Sequence, residues 1–222
     1  MKAILLAVTA MLTIGAAPVN WAKMVTRAPN GAYVLGNPKA KVRLVEYMSY
    51  SCNHCADFTA QASAPLRGNY VAKGNVAVEL RNAVRDRYDF AAALLARCGG
   101  AKGFFAQSEA LFAGQEALMA KAQAAEATST LADEASTNDA LVTVAEGSGM
   151  IDYMTARGLA PAAAKACLIN KSEQDIVLAM TKEAWETRKI AGTPSFLING
   201  RDTGPSVWST VEPKLRAAVG KR

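Results

Sequence analysis

The segment that most constrains the fold of this chain is a pair of cysteines placed where an apolar strand runs into a predicted helix. Residues 42–48 form a run of high strand propensity, and Cys52 and Cys55 follow it with Asn53 and His54 between them. Two thiols three positions apart at a helix start can cycle between dithiol and disulfide, and the helix N-terminus favours a thiolate at the first of them. We therefore predict a redox site at Cys52 and Cys55.

Two other uses of such a cysteine pair fit the rest of the chain less well. A tetrahedral zinc site needs two further ligands, whereas His54 is the only histidine and the two remaining cysteines do not form a second close pair. A purely structural disulfide gains little from closing so short a loop. We expect no metal and no other cofactor.

The N-terminus has the composition of an export signal. A positively charged start precedes an apolar run over residues 3–14, and small residues follow at 15–17. This order is typical of a signal peptide within residues 1–22, with cleavage open between 16 and 22. An uncleaved anchor is the alternative, but the apolar run falls short of the ~20 residues needed to span a bilayer. We therefore expect a soluble periplasmic protein, in a compartment where disulfides persist.

Length and composition indicate one compact body. The chain has 222 residues, 51% of them hydrophobic, so it can bury a substantial core as one domain, or as one domain with a large insertion. Its formal charge of +6 is spread along the sequence, and the basic cluster of Arg81, Arg85 and Arg87 has no interleaved aromatic residues. We expect no nucleic-acid binding.

The hydrophobic pattern predicts an α/β fold built around a strand, a helix and a second strand. Residues 42–48 are predicted to be buried on both faces, as in a central strand. A helix is predicted from the dithiol motif to residue 65, and a strand over 76–80 completes the crossover. An edge strand is predicted over 32–35.

From residue 88 to residue 189 the pattern changes to alanine-rich helical sequence. Six helices are predicted there, over residues 90–97, 103–112, 118–131, 138–146, 161–169 and 172–189.

After this helical part the sheet is predicted to resume. Residues 195–198 form a short strand, and Asn199-Gly200 predicts a tight hairpin turn. In the last predicted helix, Pro213 is tolerable only if that helix starts close to Thr210.

A second distinctive segment precedes the late strand. Thr193-Pro194 stands at the entry to residues 195–198, where a missing amide donor is tolerable and a cis bond is expected. Together with the dithiol motif and with Glu46, six residues ahead of Cys52, this segment resembles the thioredoxin superfamily. The helical insertion between the two halves makes the chain similar to the DsbA branch.

The resemblance implies a thioredoxin-like fold with a large helical insertion. The thioredoxin-like domain would comprise residues 30–87 and 186–222, and the inserted helical domain residues 88–185.

The resemblance also implies a role for the residues of the dithiol motif. Cys52 would be the nucleophile, Cys55 the resolving thiol, and His54 a group that stabilises the reduced thiolate, which makes the disulfide a strong oxidant. Asn53 stands where the familiar motif has Pro, so the strength of the oxidant stays open.

Glu46 would lie beneath the dithiol as a buried acid that moves a proton to or from Cys55. Its in-phase neighbours are apolar, so burial should raise its pKa, as a proton-transfer group needs. Exposure to solvent or pairing with Arg43 is the alternative. Thr193 and Pro194 would face the cysteines and, with a cis bond, offer the Thr193 backbone to an extended substrate. An ordinary trans proline is the alternative there.

Cys98 and Cys167 lie outside the sheet portion, each near the end of an alanine-rich helix. Some DsbA-like proteins carry a second cysteine pair, and in an exported protein we interpret these two as a structural disulfide that clamps the insertion. Two separate buried thiols are the alternative.

The predicted function is that of a periplasmic thiol:disulfide oxidoreductase that donates its disulfide to reduced, unfolded exported proteins. The family suggests reoxidation by a DsbB-like membrane quinone reductase, and we expect a monomer. One alternative is a disulfide isomerase or reductase of the same fold, although few residues precede Tyr33 for an N-terminal dimerisation domain. The others are a non-enzymatic thiol chaperone and a copper-binding protein. The eight methionines are scattered singly, which does not favour their use as copper ligands.

Overall fold

The computed structural model describes residues 19–128, 137–205 and 207–220. Most of the predicted signal peptide, and the end of the helix predicted over 118–131, lie outside the described residues. No helix in the described part of the chain is long and apolar enough to cross a membrane.

The strands of the described chain form one mixed sheet. They are β1 (Val25–Arg27), β2 (Tyr33–Gly36), β3 (Val42–Met48), β4 (Val76–Asn82), β5 (Ser195–Ile198) and β6 (Arg201–Pro205). Their spatial order is β1-β2-β4-β3-β5-β6, with β3 and β4 parallel and the other neighbours antiparallel. The dithiol motif therefore follows a strand at the centre of the sheet.

The predicted central strand is buried on both faces, as its sequence indicated. Leu44 and Met48 belong to the main core, whereas Val45 and Tyr47 pack on the opposite face of the sheet with Ala184. Such two-sided burial is typical of a strand in a sheet whose two faces are both covered.

The prediction of an edge strand at residues 32–35 was wrong about its place. The observed strand β2 pairs with β1 on one side and with β4 on the other. Residues 25–27, to which we assigned no structure, supply the outer strand, and β2 is buried along its whole length.

The helices of the described chain fall mostly between β4 and β5, where the helical sequence was predicted. They are α1 (Asn53–Pro65), α2 (Arg87–Arg97), α3 (Gly100–Ala113), α4 (Gln115–Thr128), α5 (Thr137–Gly147), α6 (Met150–Thr155), α7 (Pro161–Leu168), α8 (Lys171–Lys182) and α9 (Trp208–Gly220).

Three helical predictions need correction. Helix α6 was not predicted, because it is short and its start is set by Gly149 in the left-handed region, at φ 73°. The helix predicted over 172–189 ends at Lys182 and continues as a π-helical segment, Glu183–Thr187. Helix α9 begins at Trp208, two residues before the predicted limit, so Pro213 lies inside it and removes one backbone hydrogen bond.

The Asn199-Gly200 turn joins β5 to β6 as predicted. Both residues lie in the left-handed region, with φ values of 51° and 78°. A two-residue hairpin turn of this kind needs positive φ at both central positions, which Asn and Gly adopt at low cost.

One apolar core joins the sheet to the helical segment, which comprises the helices α2 to α8 between β4 and β5. The rings of Tyr33 in β2 and Phe104 in α3 lie 4.5 Å apart, and those of Tyr50 and Phe112 lie 4.6 Å apart. All four side chains are buried. Because Tyr50 stands two residues ahead of Cys52, the helical segment packs directly against the approach to the dithiol.

Candidate active site

Cys52 occupies the N-cap of α1. Its backbone is extended, with φ −98° and ψ 114°. Its carbonyl accepts hydrogen bonds from the N–H groups of Cys55, at 3.0 Å, and Ala56, at 3.3 Å. The Cys52 residue therefore stands at the end of the helix where unpaired N–H groups favour negative charge. Both cysteines of the motif are free thiols.

The surroundings of Cys52 favour its thiolate. Its pKa is lowered to about 5, chiefly by a hydrogen bond from the Cys55 side chain. The Thr193 side chain and the backbone N–H groups of Cys55 and His54 contribute in the same direction, whereas burial opposes them. With this pKa the Cys52 thiol is mostly ionised at neutral pH.

Cys55 has the opposite character. Its side chain is completely buried, and this burial raises its pKa, as do its hydrogen bond to Cys52 and the charge there. Its Sγ also accepts a hydrogen bond from the Ser49 N–H at 3.5 Å. The two thiols therefore differ strongly: one is stable as a thiolate and the other keeps its proton.

The Thr193-Pro194 loop lies against the dithiol, and its peptide bond is cis. When it is protonated, the Cys52 thiol donates to the carbonyl oxygen of Thr193 at 3.1 Å, across 141 residues of sequence. The two segments meet because β5, which starts at Ser195, pairs with β3, and the chain runs from the end of β3 into Cys52.

Glu46 lies on the core face of β3 with 6% of its surface exposed. Its Oε1 has no hydrogen-bond partner in the described structure. Burial, with a smaller effect from the charge of Glu109, raises the pKa of Glu46 to about 8. Arg43, the alternative partner, pairs with Glu79 at 3.5 Å instead. Glu46 also lines a cavity of about 40 Å³ shared with α1 and α3.

The two residues between the cysteines are exposed on the first turn of α1. We predicted that His54 stabilises the thiolate, and its backbone N–H contributes to the lowered pKa of Cys52. The structure thus brings Cys52, Cys55 and the Thr193 backbone into direct contact.

Two buried polar residues that the sequence did not single out also reach this region. Asp89, the third residue of α2, accepts hydrogen bonds from Ser49 and Tyr50, and Gln115, the first residue of α4, donates to Tyr50 and Cys52. Burial raises the pKa of Asp89 to about 7, against hydrogen bonds from Ser49 and from the backbone. Asp89 follows Asp86 by three positions, a spacing that indicates only the start of a helix. No local sequence pattern indicates a role for Gln115.

Cys98 and Cys167 form a disulfide that joins the end of α2 to α7. The sulfurs are 1.96 Å apart and the Cα atoms 5.6 Å apart. The alternative of two separate buried thiols is therefore not what the structure contains.

Comparison with known structures places this architecture among redox proteins. The family model described as Thioredoxin matches residues 29–215. The crystal structure of a protein-disulfide isomerase from Novosphingobium aromaticivorans is 32% identical, with a TM-score of 0.76, over 85% of this chain and 97% of that one. The crystal structure of Wolbachia pipientis alpha-DsbA1 is 18% identical and shares the fold, with a TM-score of 0.69 over 90% of this chain and 96% of that one.

Comparison by sequence gives a consistent result. A Rickettsia conorii protein, provisionally named protein-disulfide oxidoreductase, is 28% identical over 197 residues, which are 89% of this chain and 64% of the relative. The chain thus spans slightly less than two thirds of that relative's length. The α/β class and the thioredoxin-like fold with a helical insertion, both predicted above, are confirmed. The chain belongs to the thioredoxin family and has the fold of its DsbA-like members.

Proposed function

We propose that this protein is a thiol:disulfide oxidoreductase that introduces disulfide bonds into exported proteins through Cys52 and Cys55. The observation that carries the proposal is the placement of the two thiols: Cys52 caps α1 beside the Thr193 carbonyl, whereas Cys55 is completely buried. These surroundings lower the pKa of Cys52 to about 5 and raise that of Cys55. A stabilised thiolate favours the reduced protein, so the disulfide form readily passes its bond to other thiols.

The exchange proceeds in two steps. A substrate thiolate attacks Cys52 Sγ, the bond between the two cysteine sulfurs breaks, and Cys55 leaves with the electron pair and takes up a proton. A second substrate thiolate then attacks the substrate sulfur of the mixed disulfide, and Cys52 leaves as a thiolate. Two electrons pass to the protein, and of the two substrate protons one ends on Cys55 and the other in solvent.

The remaining site residues assist these steps. Glu46, neutral at pH 7 because its pKa is raised to about 8, supplies the proton that Cys55 takes up. The Thr193 carbonyl, next to Cys52, and the cis Pro194 hold an extended substrate chain against the sulfur. His54 stabilises the thiolate. A groove of about 1000 Å³ beside Ser51 leaves room for the rest of the substrate.

The proposed setting is the periplasm. The signal peptide lies within residues 1–22, with cleavage between 16 and 22, and the mature protein is a monomer with a thioredoxin-like domain, residues 30–87 and 186–222, and an inserted helical domain, residues 88–185. A DsbB-like membrane quinone reductase restores the disulfide. These assignments are supported by the composition of the N-terminus and by the DsbA-like fold.

The decisive experiment measures the equilibrium of the Cys52 and Cys55 pair with glutathione. A donor of disulfides is held mostly reduced at glutathione ratios that leave a reducing thioredoxin oxidised. A strongly reducing potential would refute the direction proposed here. In parallel, Cys55→Ala with Cys52 first converted to its mixed disulfide with glutathione should release that glutathione to a reduced, unfolded substrate with one cysteine and hold the substrate as a mixed disulfide at Cys52. Cys52→Ala, treated in the same way, is the matched control that should hold none.

A disulfide isomerase is the second candidate. The Novosphingobium aromaticivorans structure, 32% identical, is described as a protein-disulfide isomerase. Refolding of a scrambled, fully oxidised substrate separates the two activities. An isomerase restores native pairings there, whereas a donor acts on reduced substrate and leaves scrambled substrate largely unchanged.

A further inference from the structure

Two side chains from the helical segment hold the backbone that leads into the cysteine motif. We call residues 49–52 the dithiol loop. Asp89 accepts hydrogen bonds from Ser49 Oγ and from the Tyr50 N–H, each at 2.6 Å. From the other side, Gln115 Nε2 donates to the carbonyl oxygens of Tyr50, at 2.7 Å, and Cys52, at 3.0 Å.

Both side chains are buried, so these contacts are strong constraints. Asp89 is fully buried and Gln115 is 5% exposed. A buried polar group that loses its partner costs about 1–3 kcal/mol, and more if it is charged. The dithiol loop cannot move away from Asp89 or Gln115 without leaving buried polar atoms unpaired on both sides.

The loop is in turn connected to the sulfurs. The Ser49 N–H donates to Cys55 Sγ at 3.5 Å, and the Cys55 side chain donates to the Cys52 sulfur. A group that accepts a hydrogen bond is polarised by it and donates its own hydrogen bond more strongly. The bond from Ser49 to Cys55 therefore strengthens the bond from Cys55 to Cys52. The place of Ser49, one bond from Asp89, therefore bears on how well Cys55 stabilises charge on Cys52.

We propose that Asp89 and Gln115 are positioning residues for thiol–disulfide exchange: they hold the dithiol loop so that the Ser49 N–H stays on Cys55 Sγ and the reduced form is favoured. This inference rests on the proposed function, because it assumes that Cys52 and Cys55 are the redox pair. The helical segment then takes part in setting the reactivity of the dithiol, in addition to covering the sheet.

A positioning role can be distinguished from a purely electrostatic one by its sign. With a pKa of about 7, Asp89 is largely neutral where Cys52 titrates near pH 5, so if Asp89 acted on Cys52 only through its charge, Asp89→Asn would leave the thiol pKa unchanged or lower it. If Asp89 acts by holding Ser49, the same substitution raises that pKa. Gln115 is neutral, so Gln115→Met tests the loop contacts without any change of charge.

The experiment measures three quantities on each reduced or equilibrated protein. They are the pKa of Cys52 from thiolate absorbance, the equilibrium constant with glutathione, and the free energy of unfolding in urea. The matched control is Glu173→Gln, since Glu173 is a partly buried carboxylate in the same helical segment that bonds to Arg97, at 2.7 Å, and to Arg27.

We expect Asp89→Asn and Gln115→Met to raise the Cys52 pKa and to shift the glutathione equilibrium toward the disulfide form by about threefold to tenfold, where tenfold corresponds to one pKa unit. Glu173→Gln should lower stability and leave both redox quantities unchanged. If Asp89→Asn does not fold, Ser49→Ala, which deletes the hydroxyl that donates to Asp89 and accepts from the Ser51 N–H, should produce a smaller shift in the same direction.

The outcomes separate this inference from the proposed function. Redox values unchanged in all the loop variants, or a lowered pKa in Asp89→Asn with no effect of Gln115→Met, would overturn the positioning role alone. A wild-type protein with no thiolate titrating near pH 5 and no equilibrium with glutathione would overturn the proposed function, and the positioning role with it.

Discussion

Replacing Glu46 with Gln should stabilise the reduced protein at pH 8 while leaving its stability near pH 4 unchanged. The pKa of Glu46 is raised from 4.5 to about 8 in the folded protein, chiefly by burial. The folded state therefore holds its proton more tightly than the unfolded chain. Between these two pKa values, ionisation of Glu46 lowers the free energy of the unfolded chain but not that of the folded protein. The stability of the wild type therefore falls as the pH rises. Gln cannot ionise and escapes this loss.

The magnitude follows from the two pKa values. At 1.36 kcal/mol per pKa unit, Glu46 lowers the free energy of unfolding of the wild type by about 3 kcal/mol at pH 7 and about 4 kcal/mol at pH 8. Below pH 4 this effect vanishes because Glu46 is protonated in both states. Glu46 Oε1 has no hydrogen-bond partner in the described structure, so the substitution breaks no bond at that atom.

The assay is urea unfolding of both proteins at pH 4 and pH 8 under TCEP, which reduces all four cysteines in each, so that their contributions cancel in the difference. Glu79→Gln is the matched control, because Glu79 is also 6% exposed but is paired with Arg81 and Arg43. Removing that carboxylate should destabilise the protein, without the gain at pH 8. If Glu46→Gln shows the same difference from wild type at both pH values, the assignment of a buried, neutral Glu46 is wrong.

Three further predictions concern the cysteines and the N-terminus. The double substitution of Cys98 and Cys167 by Ser should lower the free energy of unfolding by about 4 kcal/mol, from the loop-closure entropy of a bridge between residues 69 positions apart, and leave glutathione exchange intact; an unchanged urea midpoint would contradict it. The thiolate absorbance of the reduced protein should titrate near pH 5 and disappear in Cys52→Ser. Because the pKa of Cys52 is lowered from 9.0 in the folded protein, the reduced form should gain stability relative to the oxidised form as the pH rises from 5 to 9. It should lose that stability as the pH falls through 5. Mass spectrometry of the exported protein should find cleavage after Ala16 or Ala17, which keeps Trp21 in the mature chain. Trp21 packs against Gly74 so closely that a Cβ on Gly74 would lie 2.9 Å from the indole nitrogen. A mature chain starting at Lys23 would show that this contact is dispensable.

The sequence predicted best those features whose physical cause is local. The alternation over residues 42–48, the Asn199-Gly200 turn and the start of α1 at the cysteine pair all depend on neighbours a few positions away. For the same reason the predictions failed where a distant contact decides the outcome. Strand β1 exists because residues 25–27 pair with β2, and three residues carry too short a pattern to be recognised alone.

At the site, the sequence by itself determined which residues we propose for the chemistry. Two cysteines at a helix start, an acid on the preceding strand and a Thr-Pro step before a later strand are sufficient to predict a dithiol redox centre. Their spacing fixes them relative to the backbone of one turn or one strand, which requires no knowledge of the rest of the fold.

Only the tertiary structure decided how that centre is held and how its protons are distributed. The raised pKa of Glu46 depends on what covers β3, and the bonds of Asp89 and Gln115 to the dithiol loop span 39 to 65 residues of sequence. Such contacts form where packed elements happen to meet, and no local pattern encodes them. The cysteine motif therefore predicts a redox site, whereas the buried groups around that motif are brought to it only by folding.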